Sequence, residues 1–322
     1  MLQHLEPIIR EAVSAAAVVL PAPRRVALER WMRGRAEAGR LALADAVVVS
    51  FGNSGRTWLR VLLSRFHQTR HGLRRFRVVE FDDLHRRDPA IPRLLFTHDN
   101  YLRDYAGLDD RAALYRGRRL VLLARDPADV AVSRFHRWRH RMRRAKKRIN
   151  AYPLDEDLTL PEFVADPRCG VPKVVRFLNA WAAALPALPD ALLLRYEDLR
   201  TDPQHRLGGL LEFLGTPATP DELEEAVAFA SLDAMRRLED RGARLIRRGR
   251  AGADGYKARR GKVGGYRDEL PPEVAAALDS LIDRGLDPVF GYTRAADAGR
   301  ARPTEGRWQR RASSGGSTRP RS

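Results

Sequence analysis

Cysteine is almost absent from this sequence of 322 residues. The single thiol, Cys169, cannot form an internal disulfide, so we expect a cytoplasmic protein in which this thiol is buried and inert. Residues 12–20 are apolar but too short to cross a bilayer, which needs about 20 residues. His, Cys and Asp do not cluster at the spacing of metal ligands, so we expect no metal cofactor.

Negative charge is also scarce. Lys and Arg number 59 against 41 Asp and Glu, a formal charge of +18, and residues 134–148 contain no acid. Such an excess predicts an anionic partner: nucleic acid, a phosphate-bearing cosubstrate, an acidic glycan or a membrane surface. Zinc-finger spacing, an RNP-type aromatic motif and a heptad zipper are all missing, so specific nucleic-acid binding is not expected. Peripheral contact of the basic segments with the inner face of a membrane stays open.

Four continuous apolar blocks predict strands that are buried on both faces. They are Ala46 to Phe51, Leu94 to Thr97, Leu120 to Ala124 and Ala191 to Tyr196. Amphipathic segments separate and follow them, and we predict helices at Thr57 to Gln68, Asp126 to Lys147, Val171 to Ala184, Asp202 to Leu214, Asp221 to Phe229 and Pro272 to Arg284. The alternation predicts an α/β fold with a central parallel sheet flanked by helices.

We predict three regions along the chain. Residues 1–44 form a helical N-terminal extension, 45–293 a single domain, and 294–322 a basic tail that stays disordered because it has few apolar residues.

Residues 51–58 read FGNSGRTW and join the first strand to a helix. Backbone N–H groups from Ser54 to Thr57 would begin that helix unpaired, which suits a bound anion. The phosphate-loop patterns GxxxxGKS and GxxxxGKT are absent, and the loop has no lysine. A plain strand–turn–helix corner is the alternative.

A second motif, RDPADVAVSRF, follows the third strand at residues 125–135. Arg125 ends the strand, and Ser133 lies two turns into the next helix. A guanidinium can bind phosphate through two parallel hydrogen bonds, and a nearby hydroxyl adds a donor. The alternative is a helix N-cap at Asp126 with Arg125 paired to it.

These motifs, in this order, resemble those of the sulfotransferases that use 3′-phosphoadenosine 5′-phosphosulfate (PAPS). That family shows YPKSGTTW for the first motif and RxPxDxxxSxxxF for the second. Three shorter similarities are a Thr–His pair that ends at His98, the tripeptide YED that begins at Tyr196, and SLDAM, which begins at Ser231. Residues 259–266 read RRGKVGGY and resemble the C-terminal motif RKGxxGDW of the family. The resemblance covers roughly residues 45–293 and implies a P-loop-like fold.

The resemblance implies that PAPS donates a sulfuryl group to a hydroxyl or amine and leaves as 3′-phosphoadenosine 5′-phosphate (PAP), without a metal. By its motifs, the nucleotide-binding residues are Asn53, Ser54, Gly55, Arg56, Thr57, Trp58, Arg125, Ser133, Tyr196, Ser231, Arg259, Arg260 and Gly261.

Catalysis is expected from His98 as general base, with Asn53, Arg56 and Ser133. Asp99 is a candidate for orienting the His98 ring. Asn53 stands where the family has lysine, and we expect Arg56 to supply the missing positive charge.

Two other functions remain open. Without the lysine the chain could be a weak or inactive PAP-binding protein on the same fold, and a P-loop-type kinase is the alternative enzyme. The acceptor, a small molecule, glycan or lipid, would bind to loops that vary in the family, here 68–92, 99–118 and 136–170.

Overall fold

The computed structural model describes residues 20–74, 76–154, 157–240 and 261–292. Within these ranges a single four-stranded parallel sheet has the order β2-β1-β3-β4. Its strands are β1 (Ala46–Ser50), β2 (Leu94–Thr97), β3 (Arg119–Ala124) and β4 (Ala191–Arg195). The structure confirms the predicted α/β fold with a central parallel sheet, and each strand begins and ends at or next to the predicted residue.

Helices cover both faces of the sheet. They are α1 (Ala22–Leu43), α2 (Arg56–Arg70), α3 (Leu102–Ala106), α4 (Arg111–Tyr115), α5 (Pro127–His140), α6 (Arg144–Ile149), α7 (Leu160–Ala165), α8 (Val171–Ala184), α9 (Tyr196–Thr201), α10 (Pro203–Phe213), α11 (Pro220–Phe229), α12 (Leu232–Asp240) and α13 (Pro272–Gly285). Short 3₁₀ helices lie at Leu185–Ala187, Gly265–Asp268 and Pro288–Phe290.

Alternating side chains of the strands build two hydrophobic cores. Val47 and Val49 of β1 point to the face covered by α5, α8 and α13. Val48, between them, points to the face covered by α2, α10 and α11. Successive residues of a strand face opposite sides, so a strand inside such a sandwich must be apolar at every position. This explains why continuous apolar runs located the strands.

The predicted helix from Asp126 to Lys147 is wrong in one respect, because it is two helices, α5 and α6, with a break at residues 141–143. Arg and Lys crowd this stretch without an acid, and like charges three and four residues apart disfavour a continuous helix. The break also lets the chain turn back. Lys147 is thereby fully buried with its Nζ 4.4 Å from the centre of the Trp138 ring.

Helix α1 packs across the end of β2 and against α3. Gly34 permits this contact, because a Cβ at that position would lie 2.3 Å from the carbonyl oxygen of Tyr101. The Trp31 and Tyr105 rings pack at a tilt of 58° with their centres 5.4 Å apart, and Arg30 pairs with Asp104. The rest of the predicted N-terminal extension, residues 1–19, and the predicted tail lie outside the described residues.

Cys169 is buried and free, and burial raises the pKa of its thiol to about 12, as expected of an inert cysteine. Across the described ranges, none of the helices combines the length and the apolar character that a membrane span requires.

His67 is a fully buried histidine of α2 whose two ring nitrogens have no hydrogen-bond partner within the described residues. Burial, and then the neighbouring His71, lower its pKa to about 4. In the unfolded chain the ring regains an ordinary pKa near 6.5 and binds a proton more readily. The folded state therefore loses stability as the pH falls from 6.5 towards 4.

We predict that His67→Leu flattens this pH dependence and raises stability at pH 5. The leucine replaces a ring that must stay neutral in the folded state. That requirement lowers the free energy of unfolding at acidic pH by at most about 3 kcal/mol. Denaturant unfolding between pH 4 and 7 measures the slope, and exposed His205→Leu serves as the control. If the free energy of unfolding depends equally on pH in the wild type and in His67→Leu, the pH dependence does not come from His67.

Candidate active site

The loop from Phe51 to Gly55 follows β1 at the carboxyl edge of the sheet, and β1 is paired with β2 on one side and with β3 on the other. Gly55 has φ 90°, and a Cβ there would lie 2.4 Å from the Tyr196 ring. No side chain caps α2, and the N–H groups of Gly55, Arg56 and Thr57 donate to no acceptor within the described residues. The loop thus presents unpaired donors at a helix N-terminus, as an anion requires.

Asn53 connects the two predicted phosphate motifs. It adopts φ 77°, a conformation that asparagine tolerates better than most residues. Its Nδ2 donates to the carbonyl oxygen of Ser133 at 3.3 Å and to Oγ of Ser133 at 3.2 Å. Arg125 donates from Nη1 to the Asn53 carbonyl oxygen at 3.2 Å, and Arg134 donates from Nη1 to Asn53 Oδ1 at 3.4 Å.

Arg125 is not paired with Asp126. It lies 3.5 Å from Asp129 and 4.4 Å from the centre of the Tyr196 ring, while Asp126 caps α5 by accepting from the N–H groups of Ala128 and Asp129. Arg125 Nε is buried and has no partner within the described residues. The guanidinium is therefore held in place against Asn53, which is also bonded to Ser133, with part of its donor capacity unused.

The carboxylates of Asp129 and Glu197 accept hydrogen bonds that join the C-terminal segment to this edge of the sheet. Asp129 accepts from the N–H groups of Gly264 at 2.9 Å and Tyr266 at 3.0 Å, which fixes the C-terminal glycine-rich motif beside Arg125. Glu197 accepts from the N–H of Asp126 at 2.9 Å and from the Tyr292 hydroxyl at 2.6 Å, and burial raises its pKa.

An aromatic and basic surface adjoins the loop. Trp58 donates from its indole to the carbonyl oxygen of Ala230 at 2.9 Å, directly before Ser231. The Tyr196 ring meets Trp58 edge to face at 5.8 Å. Arg200 lies 5.1 Å from the centre of the Trp58 ring and close to Gly261.

The structure thus brings together the predicted residues of the loop, Arg125, Ser133, Trp58, Tyr196, Ser231 and Gly261. Arg259 and Arg260 lie outside the described residues.

His98 follows β2 and lies next to the loop. Its Nδ1 is 2.7 Å from the carbonyl oxygen of Ser50, and since a carbonyl only accepts, Nδ1 carries the proton. Burial, and then the positive charge of Arg56, hold the pKa of His98 well below its ordinary value. The ring is therefore neutral, and its Nε2 lone pair is available to accept a proton.

Asp99 does not orient this ring. Its carboxylate accepts from Arg111 Nε at 3.0 Å and from the Tyr115 hydroxyl at 3.1 Å. Both carboxylate oxygens are therefore bonded to residues of α4. The residue that orients His98 is Ser50, through its backbone.

Arg56 is the charged group with the largest effect on His98, and Glu37 acts in turn on Arg56. Burial, followed by repulsion from Arg60 and Arg137, lowers the pKa of Arg56 to about 9, and Glu37 acts in the opposite direction. The guanidinium remains a cation at neutral pH. Burial raises the pKa of Glu37, against a hydrogen bond with Thr97 at the end of β2. Sequence reasoning missed Glu37, because only the packing of α1 against β2 brings it to this site.

Within the described residues, no group of three or more His, Cys, Asp and Glu side chains is arranged to hold a metal ion.

Comparison with known proteins agrees with this geometry. A family model described as the sulfotransferase domain matches residues 43–290. Cytosolic sulfotransferase 7 of Arabidopsis thaliana is 28% identical over 277 residues, covering 76% of this chain and 79% of that protein. Flavonol 3-sulfotransferase of Flaveria bidentis is 26% identical over 263 residues, covering 75% and 81%.

Two solved structures show the same fold at low identity. Retinol dehydratase in complex with androsterone and PAP superposes with a TM-score of 0.52 at 18% identity, covering 75% of this chain and 80% of that one. A mouse sulfotransferase complexed with PAP gives 0.52 at 16% identity, covering 80% and 93%.

Proposed function

Because the chain belongs to the sulfotransferase family, we propose that it moves a sulfuryl group from PAPS to a hydroxyl or amine of a small-molecule acceptor, with His98 as general base. The observation that carries the proposal is the tautomer of His98. The Ser50 carbonyl holds the proton on Nδ1, so Nε2 is left to accept a proton beside the anion-binding loop.

The residues at the carboxyl edge of the sheet fit the two charged ends of PAPS. The unpaired N–H groups at Gly55 to Thr57 suit the 5′-phosphosulfate. Arg125, with an unpartnered Nε, and Ser133 suit the 3′-phosphate, and the segment that Asp129 holds would close over it. Trp58 and Tyr196 offer aromatic faces to the adenine. Arg259 and Arg260 keep their predicted role at the 3′-phosphate.

The reaction breaks the bond between the sulfur and the 5′-phosphate oxygen and forms a bond from the sulfur to the acceptor oxygen. His98 Nε2 takes the acceptor's proton, and PAP leaves with the bonding electron pair. By analogy with phosphoryl transfer, negative charge grows on the departing phosphate, where a cation stabilises the transition state most. Arg56, at the first position of α2, is our candidate for that cation.

One observation favours a second candidate, a PAP-binding protein with little or no activity. Asn53 is uncharged, and its side chain is bonded to Ser133 rather than free to contact a leaving group. A P-loop kinase has less support, because the loop lacks the lysine that such enzymes use.

We predict that PAP raises the melting temperature well above the shift that ATP gives, because ATP has no 3′-phosphate for Arg125 and Ser133. Arg125→Ala should remove most of that difference, since a charge-assisted hydrogen bond contributes roughly 1.5–3 kcal/mol. Thermal shift with both nucleotides measures it, and the exposed Arg116→Ala serves as the matched control. Equal shifts with ATP and PAP in the wild type would rule out the nucleotide assignment.

We predict that His98→Ala lowers turnover by about 10²–10⁴-fold and leaves PAP affinity nearly unchanged, because the ring acts on the proton and not on the nucleotide. PAP formation with a panel of phenols, alcohols and amines measures turnover, and calorimetry measures PAP binding. His205→Ala is the control. If His98→Ala keeps most of the wild-type rate, another group is the base.

We predict that Arg56→Ala lowers turnover more than it weakens PAPS binding, because the contact strengthens as charge develops. Asn53→Lys in the Arg56→Ala background should restore part of the rate by returning a cation to the loop. Asn53→Met, of similar length and without charge, should not. If Arg56→Ala leaves the turnover of an active enzyme unchanged, another cation stabilises the leaving phosphate. Arg259, Arg260 and Lys262 would then be tested next.

A further inference from the structure

A buried arginine of α5 lies against the anion-binding loop. Arg134 follows Ser133 and is the most buried arginine of the described residues, with 7% of its surface exposed. Its guanidinium covers Gly52, because a Cβ at that glycine would lie 2.0 Å from Nη1. Nη1 also donates to Asn53 Oδ1 at 3.4 Å, and the guanidinium lies 4.8 Å from the centre of the Phe51 ring. Arg134 therefore contacts three successive residues of the loop.

This guanidinium has only neutral partners. Nε and Nη2 of Arg134 both donate to the Tyr152 hydroxyl, with Nε 2.5 Å from that oxygen. Asn53 Oδ1 is the other acceptor, so within the described residues Arg134 has no carboxylate partner. Arginine stays protonated in proteins, so a full positive charge is buried here without a negative one. Such a charge is costly, which indicates that an anion outside the chain balances it.

Other arginines with largely buried side chains each lie within 4 Å of a carboxylate oxygen. The pairs are Arg60 with Glu80 at 3.7 Å, Arg111 with Asp99 at 3.0 Å, and Arg125 with Asp129 at 3.5 Å. Arg125 also contacts the loop, but Asp129 balances part of its charge. The missing carboxylate is therefore particular to Arg134 and is not a general property of buried arginines in this chain.

The geometry of the loop brings this charge close to the unpaired N–H groups. The turn is tight, since the N–H of Ser54 donates to the carbonyl oxygen of Phe51 at 3.4 Å. Asn53 lies two residues before Gly55, after which α2 begins. A guanidinium held on Asn53 thus acts at short range on an anion bound at the start of α2, and the protein screens that interaction less than bulk water does.

Resting on the proposed function, we propose that Arg134 is a positioning residue for the 5′-phosphosulfate of PAPS. Anchored by Tyr152 and held on Asn53, it adds a fixed positive charge to a loop whose residues 51–55 carry none. The bound anion completes the ion pair that the chain leaves without a negative member. Arg134 acts on binding, whereas Arg56 is assigned to the charge that develops during transfer. The sequence motif leaves the position after Ser133 unspecified, so only the structure singles out Arg134.

The first test measures the contribution of the 5′ end of the nucleotide to binding. Calorimetry compares PAP with adenosine 3′-monophosphate, which has the same base and 3′-phosphate but no 5′-phosphate. We expect the wild type to bind PAP roughly tenfold or more tightly than the monophosphate. Two uncharged variants, Arg134→Gln and Arg134→Met, should each reduce this ratio by roughly tenfold and leave binding of the monophosphate nearly unchanged.

A matched control and a kinetic measurement accompany this test. Arg139→Met removes an exposed positive charge from the same helix and should leave the ratio unchanged. Where the chain is active, Arg134→Gln should raise the KM for PAPS more than it lowers kcat, because the contact is made in the ground state as well as in the transition state.

Relocation of the charge separates its effect from that of packing. Arg134→Lys keeps a cation at the position and should retain most of the ratio. Asn53→Lys in the Arg134→Gln background returns a positive charge to the loop and should recover most of the lost ratio. Asn53→Met in the same background should not. A residue that only maintained the shape of the loop would not be rescued by a charge on Asn53's position.

Four results would overturn the inference. An unchanged ratio in both uncharged variants would do so and leave the nucleotide assignment intact. An equal loss of PAP and monophosphate binding, or equal ratios for Asn53→Lys and Asn53→Met in the Arg134→Gln background, would assign Arg134 a purely structural role. Equal binding of PAP and the monophosphate by the wild type would reject the inference together with the loop as the 5′ site. If the ratio and its loss are as expected but no sulfuryl group is transferred, the role of Arg134 in binding stands and the proposed catalysis falls.

Discussion

The parallel direction of the four strands is the constraint on which the site depends. Their carboxyl ends meet at one edge, so each strand delivers one functional segment to the same place: the loop after β1, His98 after β2, Arg125 after β3 and Tyr196 after β4. The same constraint determines the tautomer of His98. The pairing of β1 with β2 places the last carbonyl of β1 against the first residue beyond β2, and a rigid backbone acceptor then keeps the proton on Nδ1.

Charge is distributed unequally about that edge. On the side of Arg125, carboxylates are present and already engaged, since Asp129 holds two backbone N–H groups and lies beside the guanidinium, and Glu197 joins α5 to the C-terminal segment. These contacts hold in place the residues that are predicted to bind the nucleotide. The side chains of Arg137 of α5 and Lys146 of α6, in contrast, have no hydrogen-bond or ion-pair partner within the described residues.

Sequence reasoning located the strands of the sheet because they leave local signals, and the site residues, which stay predictions, were named from motifs that are also local. Continuous apolar runs identify strands buried on two faces, and the motifs place their residues just after those strands. It failed where the outcome depends on distant packing. The break between α5 and α6 permits the burial of Lys147 against Trp138, a contact between side chains that the sequence pattern does not show. Glu37 reaches the site only because α1 packs across β2. The partner of His98 is a backbone carbonyl, which every residue possesses, so no side chain could have indicated it.

The substitution of Asn53 for the family's lysine is easier to understand in this setting. The carbonyl oxygen of Asn53 already accepts from Arg125, and its Oδ1 accepts from Arg134. A lysine at this position would bring a third positive charge against two guanidinium groups and would lose the hydrogen bonds of the amide with Arg134 and Ser133. The chain instead has an uncharged residue at the crossing point of the two motifs and a guanidinium three residues later, at Arg56. Under the proposed mechanism the positive charge is therefore moved along the loop, to the residue whose field already reaches His98.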